Sequence, residues 1–216
     1  VIGHSAVPAV FALPDCAAKL FYHIFFIIKI QAFGIQRKPR QENRKNKGNK
    51  MKIRKTTTDD LQYVMPIYEQ ARVFMAETGN PKQWGATNWP PESVIREDIQ
   101  QGKSYVCLNE EERIIGVFCY IFGKDIDPTY LDIEDGRWLD DSPYGVVHRM
   151  AGDGSEHGIG QFCLQWALEQ SRHLRVDTHP DNRIMQNLLN KLGFRKCGII
   201  HVIEDNDPRY AYEKIL

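Results

Sequence analysis

One stretch constrains the fold of this chain more than any other. Val146–Ala151 reads as a short strand, and the glycine-bearing run Gly152-Asp-Gly-Ser-Glu-His-Gly-Ile-Gly160 follows it. A helix then begins within that run, with Ile159, Phe162, Cys163, Trp166 and Ala167 on one apolar stripe. Strand, glycine loop and amphipathic helix in this order belong to an α/β domain. The start of such a helix offers unpaired N–H groups and partial positive charge, so it can hold an anion. Glycines at 158 and 160 keep side chains out of the way. By itself a G-x-G is a weak signal, and a turn that merely connects strand to helix reads as well.

A second strand-to-helix unit follows. Leu174–Thr178 is strand-like, Asp181 or Asn182 can cap the next helix, and Ile184, Met185, Leu188, Leu189 and Leu192 form its buried face. Gly193 supplies the left-handed stop. Upstream, a strand begins at Met51, and a helix starts near Thr58-Asp-Asp60 with a kink or break expected at Pro66. Gly79-Asn-Pro81 ends that helix, and a Trp- and Pro-rich loop leads to a short helix over 91–101. Residues 105–108 and 114–122 read as a hairpin, then a long acidic loop spans 124–142. Residues 194–203 and 209–215 are the last strands, joined by the turn at 204–208. The order is βααβββαβαββ, a mixed α/β sheet domain.

Together the two strand-to-helix units resemble the GNAT superfamily of N-acetyltransferases, and the resemblance covers essentially all of 51–216. It implies a mixed, mostly antiparallel sheet flanked by helices, with two splayed parallel central strands at Val146–Ala151 and Leu174–Thr178. It also implies acetyl-CoA as co-substrate, attacked directly by an amine. The cofactor contacts carried over are Val147, Arg149, Met150 and Ala151 on the first strand; Glu156, His157, Gly158, Ile159, Gly160 and Gln161 on the loop and helix; and Asn182. Leu192-Gly-Phe194 matches the family's helix-ending signature. Three positions depart from the pattern. Ser155 stands where the family has Arg or Gln, Glu156 replaces a common Gly, and Leu189 occupies the place of a Tyr that protonates the leaving thiolate.

The reaction needs a base to deprotonate an ammonium group before attack. His148 and His179 lie near the ends of the two strands and titrate in the right range. His179 is the preferred base, because Asp177 lies two residues away and shares its face if the strand persists. A histidine in a turn before Pro180 can equally be structural. Tyr144 is a candidate acid. Trp84 and Trp89 either line the acceptor pocket or pack under their loop. The acidic 124–142 loop is either a solvated surface or a lure for a cationic amine. The competing reading of the whole domain is a non-catalytic acyl-CoA-binding or interaction protein, favoured by Ser155 and Leu189.

Charge excludes one class of partner. The chain carries 28 basic and 28 acidic side chains, and residues 1–50 take nine of the former and two of the latter. That leaves 19 basic against 26 acidic groups in 51–216, a net charge of −7 unsuited to nucleic acid. The partner expected is a small-molecule or peptide amine, and a homodimer stays open. Five cysteines without a C-x-x-C pair suit buried thiols in a reducing cytoplasm, with no metal site. The apolar run at 20–30 is too short to span a membrane. Residues 1–50 are expected to be a non-domain segment, upstream of a natural start at Met51.

Overall fold

The computed structural model describes residues 51–85, 87–203 and 207–216; the expectations for 1–50 and for the tip of the 204–208 turn lie outside them. Eleven regular elements follow one another in the expected order. They are β1 (Lys52–Lys55), α1 (Leu61–Glu77), α2 (Glu92–Gln100), β2 (Ser104–Leu108), β3 (Ile114–Gly123), β4 (Tyr144–Gly152), α3 (Ile159–Ser171), β5 (His173–Thr178), α4 (Arg183–Lys191), β6 (Arg195–His201) and β7 (Pro208–Ile215). The strands form one sheet in the order β1-β2-β3-β4-β5-β7-β6. All neighbours run antiparallel except β4 and β5, which are parallel.

Alternation along the strands divides the core between two faces. On β2 and β3, Val106 and Val117 pack with Leu61, Val64 and Tyr68 of α1 and Ile95 of α2. Their neighbours Cys107 and Phe118 pack on the opposite face with Cys163, Leu164 and Ala167 of α3 and Leu189 of α4. Pro66 lies inside α1 without dividing it. The buried row of Leu61, Val64, Ile67 and Tyr68 runs past the proline on both sides and holds the helix to the sheet.

The acidic loop keeps most of its acids exposed, as a solvated surface would, but its aromatics anchor it. Tyr130 is fully buried in a third cluster with Tyr144, Val146, Ile200 and Ala211, and Ile126, Ile133 and Trp138 pack against it. Arg175 fastens the cluster: its guanidinium lies 4.2 Å from the Trp138 ring centre and 3.9 Å from that of Tyr144. The same group donates to the fully buried Glu213 at 2.8 Å and to the Asp140 carbonyl at 2.6 Å. Glu213 also accepts from the Leu139 N–H. A buried carboxylate is tolerable only with such partners.

Candidate active site between the splayed strands

β4 and β5 pair at just two positions, Gly145↔Leu174 and Val146↔Arg175, and then part. A cavity opens on each side of the gap. One, of 370 Å³, lies among α1, the end of β4, the start of α3 and α4. The other, of 550 Å³, lies under the Trp84–Trp89 loop and the 124–142 loop. They share Met75, Trp84, Met150, Asn182 and Met185, so they meet where the strands part.

The outer edge of β4 explains part of the opening. Cys119 pairs with His148 and Val117 with Ala151, so Phe118 alone faces Arg149 and Met150. This is a bulge on β4, and Arg149 sits in it at φ 52°. A side chain at positive φ persists only where its surroundings fix it. Here the Tyr68 hydroxyl donates to the Arg149 carbonyl at 2.9 Å. The Arg149 guanidinium donates twice to Asp98 of α2, at 3.0 and 2.9 Å. The Arg149 side chain is thus spent on holding the bulge.

On the smaller cavity's side, Gly158 occupies the left-handed region at φ 89° just before α3, and a Cβ there would meet nothing within 4 Å. The Phe162 N–H is the first of the helix to turn inward, to the Gly158 carbonyl. The N–H groups of Ile159, Gly160 and Gln161 therefore stand before the first intrahelical bond. Gly160 has a different reason: a Cβ would come within 3.1 Å of Leu188, so glycine lets α3 approach α4. Ser155 donates to Asp153 at 2.6 Å, and Arg113 of the β2–β3 hairpin reaches both residues, at 2.8 Å to Ser155 and 3.3 Å to Asp153. A guanidinium from another element thereby stands at the loop that lacks the family's Arg or Gln. Glu156, His157, Gly158 and Gln161 border the helix start but line neither cavity, whereas Met150, Ala151, Ile159, Gly160 and Asn182 line the smaller one. Asn182 caps α4 by accepting from the Met185 N–H at 3.0 Å.

The larger cavity carries the titratable groups. His148 Nε2 lies 2.7 Å from Asp127, and its Nδ1 lies 3.6 Å from Asp177. The Tyr130 hydroxyl donates to that same Asp177 oxygen at 2.8 Å. Burial alone would raise the Asp127 carboxyl, but the His148 contact and the Thr129 hydrogen bonds outweigh it and hold it at about 2. Thr178 ends β5 in this cavity with a buried hydroxyl that has no partner among the described residues. Trp84 packs edge-on against Tyr68 and lines both cavities. Trp89 lines the larger one, as do Val147, His148 and Arg149.

Two expectations need correction. Asp177 does not pair with His179. β5 ends at Thr178, so His179 leaves the strand's alternation, and its Nδ1 accepts from the Asp181 N–H at 3.0 Å. It is buried away from both cavities, and burial, with Arg209 nearby, lowers its pKa. Tyr144 is also buried and lines neither cavity; burial raises its hydroxyl. The sequence offers Asp127 only as one of seven acids on the 124–142 loop and does not single out Tyr130. An Asp-Pro-Thr turn at 127–129 was legible as an Asx turn, but nothing local tells that it delivers Asp127 to a histidine on β4.

A mixed sheet with one parted parallel pair and a glycine-led helix start at the gap is the arrangement that the acetyltransferase resemblance implies, and a histidine–carboxylate cluster lies beyond it. No family model and no curated protein matches the sequence. Among solved structures, the chain is similar to a GNAT-family acetyltransferase from Streptococcus agalactiae 2603, with 32% identity over 77% of this chain and 95% of that one and a TM-score of 0.69. It is also similar in fold to a GNAT-family acetyltransferase from Listeria monocytogenes 4b F2365, with 16% identity, the same coverage of both chains and a TM-score of 0.57. The chain belongs to the GNAT family of acetyltransferases.

Proposed function

We propose that the protein is an N-acetyltransferase that uses acetyl-CoA to acetylate an amine of a small molecule or peptide. The observation that carries this reading is the pair of cavities meeting where β4 and β5 part. The residues fit acetyl-CoA: α3 begins with free N–H groups behind a glycine whose outer side is empty. Ile159 to Gln161 would hold the pyrophosphate by main-chain donors, and Asn182 and the β4 edge would line the arm. When bound, acetyl-CoA supplies a thioester whose carbonyl carbon the amine attacks.

The remaining work falls to the chain. The β4 bulge leaves backbone N–H groups outside the ladder, where they can donate to negative charge developing on the carbonyl oxygen. Asp127 and Asp177 attract the cationic form of the acceptor, and Trp89 flanks it. His148 takes the ammonium proton, held in place by the carboxylates on either side of its ring. We assign the base role to His148 rather than His179, because His148 alone of the two faces a cavity. We place the reaction in the cytoplasm, a reading supported by the four free, buried cysteines among the described residues.

Thiol release from acetyl-CoA with a panel of amines, run beside calorimetric CoA binding, tests the proposal. Binding with amine-dependent thiol release is the expected result. Binding without release from any amine would leave the non-catalytic reading, and no binding at millimolar CoA would overturn both.

A further inference from the structure

Asn80 holds an oxygen that the fold leaves unanswered. The residue follows the end of α1, where Gly79 turns left-handed at φ 91° and the Asn80 N–H returns to the Met75 carbonyl at 2.8 Å. The residue is buried and lines the smaller cavity, and its buried Oδ1 has no partner among the described residues.

The identity of that atom follows from its neighbours rather than from choice. Asn182 Oδ1 accepts the Met185 N–H to cap α4, so Asn182 must offer its Nδ2 to Gln83. Gln83 must then present Oε1, at 3.1 Å. The same Oε1 lies 2.7 Å from Asn80, which must therefore present Nδ2 as well. Flipping any one amide sets two donors or two acceptors face to face. The free atom of Asn80 is an acceptor, and a buried acceptor without a donor is costly.

Its ligand must bring an N–H or O–H, which excludes phosphate oxygens, carbonyls and the thioester itself. Asn80 lines the smaller cavity, Gln83 the larger and Asn182 both, so the hydrogen-bonded trio spans their junction. In an acyl-CoA the donor nearest the thioester is the amide N–H of the cysteamine unit, two methylenes from sulfur. We propose that Asn80 Oδ1 accepts that N–H, so that the Asn80–Gln83–Asn182 relay reads the pantetheine arm and ties it to the cap of α4. This rests on the acyltransferase reading above and adds to it a binding residue on the α1–α2 connection.

The test is calorimetry with CoA and with an analogue in which that amide N–H is replaced by an ester oxygen. The parent should bind the analogue about tenfold more weakly, the scale of one net hydrogen bond. Asn80→Leu, of similar size but without an acceptor, should bind CoA about tenfold more weakly than the parent and should not distinguish the two ligands. In 15N-labelled parent, the Asn80 side-chain NH2 resonances should move with CoA and much less with the analogue, a readout that needs no variant to fold. Equal affinity of the parent for both ligands, or unmoved Asn80 resonances on CoA binding, overturns the inference while leaving the proposed function intact. Absence of any CoA binding defeats the proposed function itself.

Discussion

The two cavities that meet between β4 and β5 are built from different materials. The smaller is walled by regular elements: one face of α1, the end of β4 and the starts of α3 and α4. What it offers a ligand is largely backbone and apolar surface. The larger takes its chemistry from loop side chains brought from far along the sequence, with Asp127 reaching His148 across 21 residues and Tyr130 reaching Asp177 across 47. Asn80 apart, such a site should tolerate wide exchange of side chains but fail when the main chain is altered. A side-chain site should show the opposite sensitivity.

Substitutions can break that contrast. His148→Ala is expected to lower kcat/KM by about 10²-fold or more, the scale of lost general base catalysis, with CoA affinity unchanged. His179→Ala, outside both cavities, should stay within about threefold of the parent. Steady-state kinetics on both variants decides between the two histidines. On the other side, Gly158→Pro should weaken CoA binding about tenfold or more in calorimetry. It forces φ to about −65° where the chain stands at 89°, and so turns the helix start away.

Smaller effects sharpen the picture. Glu156→Gly removes a negative charge beside the pyrophosphate site and should tighten CoA binding by about two- to threefold at low salt, less at high salt. A Kd that does not respond to salt would place the phosphates elsewhere. Asp127 gives the subtlest signal. Its carboxyl lies at about 2 in the folded chain against about 3.9 when unfolded, so its contribution is complete above pH ~4 and lost as pH falls towards 2. The difference in Tm between the parent and Asp127→Asn should therefore be a few degrees near neutrality and vanish in acid.

The same contrast explains what could be read from the sequence. Element order, the parted parallel pair, the left-handed stop at Gly193 and the Asn182 cap all follow from local periodicity, glycine placement and family pattern. The smaller cavity inherits that legibility. The sequence pairs Asp177 with His179, whereas the structure sets it 3.6 Å from His148, because β5 stops at Thr178 and His179 leaves the strand's alternation. The packing of Tyr130 and Trp138 was hidden by composition: the loop's acids are mostly exposed, as such a segment suggests, while its few aromatics decide where it lies. The β4 bulge left no local mark, since its positive φ is enforced by Tyr68 and Asp98 on other elements.

The parting of β4 from β5 after two paired positions also has a thermodynamic side. Beyond Val146 and Arg175 the facing edges give each other no ladder, although both strands stay paired on their outer sides, to β3 and β7. Inner-edge amides in such a gap are satisfied by solvent until something fills it. Hydrogen exchange should therefore be uneven along a single strand: N–H groups of β4 that point to β3 exchange slowly in the free protein, while alternate ones pointing into the gap exchange fast. An occupant of the gap should slow the second set and leave the first nearly unchanged, so the sheet would gain protection in its middle while its edges stay as they were.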